Sequence, residues 1–347
     1  MAKRIGELLT AATASKAVHH IDLLVEPFAG GASTSLRLAG TGVVSRVLLA
    51  DADPLVAHFW QVAAADTDWL IDAMHSEYDR YITAGTGVER WEHWRRWRPD
   101  RRFKPATVRR LDALRCLFLN RTTFSGILHG QAGPLGGYSQ ESEYDIGCRY
   151  NPAGLEERLR YVQALYDSGR LVDVWCKDWR DTLADVPEWY PQLVPDHVVA
   201  YLDPPYIEKS FKLYQRSFST RRPYTNVPAG DLHWGGRLLH ERLAEHLRTQ
   251  MRFRWVLSYD AHPSLLTAPA LYAHDRMTPS VDDRALLGVK EWTMSKRLVS
   301  LTYTAASRAG RDPVDELLIT TLPPSTVPLD ETFRPVPADF GAEPTAP

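Results

Sequence analysis

Cysteine is scarce in this sequence, with three in 347 residues: Cys116, Cys148 and Cys176. They lie far apart and are odd in number, which argues against both a zinc-type pair and a disulfide framework. Three small buried hydrophobes in a reducing cytoplasm are the expectation. Long apolar runs are also missing, and nothing approaches the roughly 20 residues that span a bilayer. The first residues, Met1-Ala2-Lys3-Arg4-Ile5, carry no apolar stretch followed by a small-residue cleavage site. An excess of one charge is missing too: 41 Lys and Arg stand against 43 Asp and Glu. The chain as a whole is therefore no polycation. No His-Glu spacing suggests a metal site, and none is expected.

What is present suits a globular protein, with 44% hydrophobic and 24% charged residues. Ile21 to Val25 reads as a short buried strand. It runs into Glu26-Pro27-Phe28-Ala29-Gly30-Gly31-Ala32-Ser33, and a helix is expected from Thr34 with Gly40 as its stop. Arg46 to Asp51 reads as a second strand with an acid at its end. Strand, Gly-rich turn, helix and strand open a parallel α/β domain. From about Pro54 to Tyr166 helical periodicity takes over, with good apolar faces over 111–119 and 155–165 and a Gly-rich loop over 125–151. The α/β pattern resumes with strands at 171–176, 198–202 and 253–258, a helix at 240–247, and a closing antiparallel pair at 298–304 and 316–321. After Leu322 the chain turns Pro-rich and is expected to be disordered.

Two segments carry chemistry. In the first, a Gly-Gly turn lets a ligand approach the backbone closely. The helix behind it offers free N–H groups, and Asp51 stands where an acid can hold both ribose hydroxyls. That suits an adenosine-containing cofactor, although the spacing is neither the dinucleotide fingerprint nor a P-loop. A tight turn with a strand-end acid is the plain alternative.

The second segment, Asp203-Pro204-Pro205-Tyr206, is far more specific. Two prolines cannot continue a strand ladder, so the chain must leave the sheet in a stiff corner. The corner presents a carboxylate, a backbone carbonyl and an aromatic ring at the edge where open α/β sheets bind ligands. The two acceptors can take both N–H groups of an exocyclic amine, freeing its lone pair for attack. Tyr206 can stack on the base, a contact worth roughly 1–3 kcal/mol.

These residues, with Phe118-Leu119-Asn120-Arg121 leading to Gly126 and with Asp178-Trp179, resemble the Dam-like, D12-class N6-adenine DNA methyltransferases. The resemblance covers about residues 1–322, and its motif order is that of the family's α group. Gly133-Pro134-Leu135-Gly136-Gly137 and Ile146 to Asn151 also resemble a loop and re-entry segment of that family. The resemblance implies a Rossmann-like S-adenosylmethionine-dependent α/β sheet with a helical target-recognition insertion. It implies cofactor contacts from Glu26, Pro27, Phe28, Ala29, Gly30, Gly31, Ser33, Asp51, Asp53, Asp178 and Trp179. Pro27 to Gly31 would surround the methionine part, Asp51 would hold the ribose, and Asp178 the adenine amino group. Asp203, Pro204, Pro205 and Tyr206 would receive a flipped adenine, with Asn120, Arg121 and Phe124 facing the duplex. Position 125, often Asn in the family, is Ser125. The family usually opens with an aromatic residue and Gly-Gly-Lys, and here only Lys3 stands at the lysine position.

Ten Lys or Arg stand against three Asp or Glu between Arg90 and Arg115. Trp91, Trp94 and Trp97 are expected as core residues of the insertion. Arg95, Arg98, Arg101 and Arg102 are expected on DNA, as are Lys209 and Lys212 after the corner. The expected organisation is 1–66 and 167–322 as a split catalytic domain, 67–166 as the recognition insertion and 323–347 as a tail. The expected substrate is double-stranded DNA, handled by a monomer beside restriction or defence-system proteins. Methylation of cytosine N4, and a DNA-binding or complex-assembly homologue impaired in catalysis, are the competing readings.

Overall fold

The computed structural model describes residues 1–130, 132–206, 235–275, 292–301, 313–337 and 340. Among them a seven-stranded sheet has the order β3-β2-β1-β4-β5-β7-β6. Its strands are β1 (Leu23–Glu26), β2 (Arg46–Asp51), β3 (Leu171–Cys176), β4 (Val198–Leu202), β5 (Arg254–Asp260), β6 (Ser295–Leu301) and β7 (Val314–Thr320). The first five run parallel, while β7 pairs antiparallel with both β5 and β6. This is the expected Rossmann-like α/β architecture.

Side-chain alternation sorts each strand between two cores. Leu24, Val47, Leu49, Val199, Tyr201, Val256 and Leu318 face one layer. It holds α1 (Ala2–Ala14), α2 (Ser33–Gly40), α3 (Pro54–Ala65) and α7 (Pro152–Asp167). Leu23, Val25, Leu48, Ala200, Leu202, Trp255 and Leu257 face the other. That layer holds α8 (Trp179–Trp189) and α9 (Gly235–Thr249). The central strands are buried on both faces, so their sequences read as unbroken apolar runs.

The segment between α3 and α7 contains α4 (Thr67–Glu77), a π-helical turn (Tyr78–Ile82), α5 (Gly87–Arg96) and α6 (Pro105–Thr122). It does not build a core of its own. Trp91, Trp94, Leu117 and Phe118 are buried in the same cluster as Leu24 and Val47. The Nε1 donors of Trp91 and Trp94 reach Thr123 and Glu77 at 2.9 and 3.1 Å, which is how buried indoles are satisfied. No helix among the described residues is long and apolar enough to cross a membrane.

The tail departs from the expected disorder. Pro324–Thr326 forms a 3-10 turn, and Val327 and Phe333 are buried in the first core. Arg334 and Leu298 exchange backbone hydrogen bonds of 2.9 and 3.0 Å. Two apolar anchors among the prolines are enough to fasten this segment along the sheet's edge strand β6, and edges favour a covering segment. Residues 341–347 lie outside the described residues.

Candidate active site

The strand order reverses between β1 and β4, and in open α/β sheets ligands bind in the crevice at such a point. β1 ends at Glu26 and β2 at Asp51, and Asp203 follows β4 directly. Three carboxyls therefore stand side by side at the carboxyl edge of adjacent strands.

The turn after β1 is held from several directions. Gly30 has φ +45° and Ala32 +47°, in the left-handed region where glycine is at ease and alanine strained. The Ala29 N–H donates to the Ala50 carbonyl at 2.9 Å, and the Gly30 N–H to Asp51 Oδ2 at 3.0 Å. Trp60 Nε1 donates to the Gly30 carbonyl at 2.9 Å. A Cβ built on Gly31 would meet nothing within 4 Å. The turn is thus rigid, yet open on the crevice side. Ser33 begins α2 there and is exposed. Pro27 is buried, and Phe28 stacks on Trp179 with ring centroids 6.4 Å apart.

Asp51 Oδ1 accepts from the Asp53 N–H at 2.8 Å. Crowding by protein pushes its carboxyl up to about 6, against the hydrogen bonds from Gly30 and Asp53. Asp53 caps α3 by accepting from the Leu55 N–H at 3.0 Å and pairs with His129 Nε2. Asp178 caps α8, its Oδ1 accepting from the backbone N–H and Nε of Arg180 at 3.0 and 3.1 Å. Its Oδ2 is buried and has no partner among the described residues. Glu26 is buried as well, and its Oε2 also has no partner among the described residues. Burial raises the Glu26 carboxyl to about 8; hydrogen bonding from Ser35 opposes the rise, and the charges of Asp203 and Asp51 add to it. Unpaired buried acceptors are costly, and in a crevice they mark places where a ligand's donors fit.

Asp203 is open to solvent at the mouth of the crevice but crowded by surrounding protein. Ser258 Oγ donates to its Oδ1 at 3.0 Å. Crowding pushes the carboxyl up to about 6, and the bond from Ser258 works against that. Pro204 is buried and Pro205 half-buried. Tyr206 Oη donates to Oε1 of the buried Glu316 on β7 at 2.8 Å, and burial raises its phenol far above the ordinary value. Its ring is therefore fixed at one end. Ser258, Glu316 and Trp60 are site residues absent from the sequence reading.

Among the described residues Lys3 pairs with none of these groups. It lies on α1 with its side chain 71% exposed, 3.8 Å from Glu7.

Beside the crevice, Asn120 and Arg121 end α6 and are half-buried. Asn120 Nδ2 donates to the Gly126 carbonyl at 3.2 Å, and its Oδ1 accepts from Arg121 Nη2 at 2.5 Å. Arg149 Nη2 donates to the Asn120 carbonyl at 2.8 Å. The resulting turn holds Phe124 66% exposed. Two of the basic residues expected on DNA also serve the backbone. Arg95 donates to the carbonyls of Leu128, at 2.9 Å, and Gly130, and Arg98 to those of Trp97 and Arg95 at 2.7 and 3.3 Å. Loop carbonyls need donors, and these guanidinium groups meet that need first. Arg102 pairs with Asp100, while Arg101 is exposed. Lys209 and Lys212 lie outside the described residues.

None of the curated proteins compared with the chain is detectably similar to it. A family model does match, over residues 5–226 and so more than half of the chain: that of the D12 class N6 adenine-specific DNA methyltransferases.

Proposed function

The chain belongs to the D12 class N6 adenine-specific DNA methyltransferases, and from that premise we propose that it flips one adenine out of duplex DNA and holds the N6 amino group at Asp203 for methyl transfer. S-adenosylmethionine, when bound, supplies an electrophilic methyl group on a sulfonium. The turn from Pro27 to Gly31 would hold its methionine part, and Asp51 its ribose. The unpartnered Oδ2 of Asp178 would accept from its adenine amino group, which is the fit that an orphaned buried acceptor calls for.

On this reading Asp203 accepts one N–H of the target amine and the Pro204 carbonyl accepts the other. The lone pair, otherwise delocalised into the ring, is then free to attack. Tyr206, fixed through Glu316, stacks on the base and sets its plane. As the new N–C bond forms, the methyl–sulfur bond would break with its electron pair left on sulfur, which becomes a neutral thioether, and the nitrogen carries a surplus proton. Asp203 is the acceptor in contact with it and passes it to solvent at the crevice mouth. Positioning and fixed dipoles supply the acceleration.

The observation that carries the reading is a solvent-facing Asp203 at the topological switch point, braced by Ser258 and followed by an anchored Tyr206. Two assays test it together. Labelled methyl should pass from cofactor to duplex DNA with the wild type and not with Asp203→Ala. A duplex carrying 2-aminopurine at the target should brighten on binding either protein. Methyl transfer without brightening would remove base flipping, and transfer by Asp203→Ala would remove the role of the corner.

A further inference from the structure

The insertion holds nine arginines between Arg90 and Arg115, and most are already engaged. Arg90 pairs with Glu77, Arg96 with Glu92, Arg102 with Asp100 and Arg110 with Asp66. Arg95 and Arg98 serve backbone carbonyls, and Arg115 lies over the Trp97 ring. Arg101 and Arg109 remain, with no acidic partner among the described residues. These same two line a surface cavity of about 370 Å³, together with His58, Asp100 and Phe103.

The other walls complete the chemistry. His58 comes from α3, and its Nδ1 is held 2.8 Å from the buried Asp112 of α6. Its second ring nitrogen is thereby oriented away from Asp112. Phe103 is 42% exposed and offers a ring face. Asp100 is the one acid in the lining, and both its oxygens accept from Arg102 at 2.6 to 3.1 Å. The cavity therefore presents two free guanidinium groups, a fixed imidazole and an aromatic surface. His58 lies five residues along α3 from its capping Asp53, about 7.5 Å at 1.5 Å per residue. The cavity is on the helical flank and not in the strand-edge crevice.

We propose that this cavity binds a phosphoryl group carried on a nucleotide, with Arg101 and Arg109 as its cationic partners and Phe103 against the sugar or base. Guanidinium pairs match phosphate geometry. Two sources share this chemistry: the backbone of the DNA substrate and a free mononucleotide. Only the first rests on the function proposed above.

The test uses the full chain and Arg101→Gln/Arg109→Gln, with melting curves to confirm that the variant folds. Duplex affinity is measured across a salt series, and AMP is titrated with phosphorus NMR as the readout. A fall of about 2 in the slope of log affinity against log salt, roughly one per arginine, supports the backbone source. AMP line broadening in the wild type that disappears in the variant supports the free nucleotide. An unchanged salt slope together with no AMP binding overturns the proposal. Neither readout involves methyl transfer, so an altered slope in a protein that methylates nothing would leave the phosphate site standing while the catalytic reading failed.

Discussion

Asp203 must be ionised to accept from an amine, and its carboxyl titrates at about 6. On the proposed role, activity is expected to be full above that pH and to fall as pH drops through it, which a pH–rate profile checks. Removing the donor that opposes the rise should push the titration higher. Ser258→Ala is expected to move the acid limb of kcat/KM upward by about half to one pH unit, the worth of one hydrogen bond, and an unmoved limb would mean that another group controls it. Glu26 answers to stability instead. Its folded-state value of about 8 lies above the ordinary 4.5, so its favourable contribution is whole below 4.5 and is lost as pH rises through 8. Glu26→Gln should flatten that decline, a difference on the order of 3 kcal/mol by pH 7, and thermal melts across this range check it. Parallel slopes for wild type and variant would contradict it. The acids themselves were legible, since each ends an apolar strand. Their braces were not: Ser258 reaches Asp203 across 55 residues of sequence and Glu316 reaches Tyr206 across 110. Only the strand pairing brings them together.

At the scale of elements, helices and strands follow their sequence periods closely, and the departures have local causes. The charge of Arg95 and Arg98 is visible in sequence, while the loop carbonyls to which they also donate are not. The tail read as disordered because its prolines outnumber the two apolar anchors, Val327 and Phe333, that fasten it. The turn at 124–126 is a further case. Ser125 has φ +55°, a conformation that costs a residue with a Cβ roughly 1–2 kcal/mol and suits Gly or Asn. Ser125→Gly is expected to raise the melting temperature by about 1–2 °C while leaving Phe124 presented outward. A lowered melting temperature would show that the Ser125 side chain contributes more than its backbone costs.

For the whole molecule, alternating helix and strand patterns were enough to anticipate a parallel sheet, and the Pro-Pro corner was enough to anticipate where the chain leaves it after β4. The insertion's packing could not be read in that way. Its tryptophans promised a core, but nothing in their spacing revealed that it is the sheet's own core. The helical segment thus shares a buried cluster with Tyr201, two residues before Asp203, which would suit the proposed role of holding a base within hydrogen-bond reach. The central claim is that this corner methylates N6 of adenine. The direct measurement is nucleoside mass spectrometry of duplex DNA incubated with the protein and S-adenosylmethionine, beside an Asp203→Ala control. N6-methyladenine above the control is the predicted result; 4-methylcytosine in its place, or neither base modified, would contradict the account.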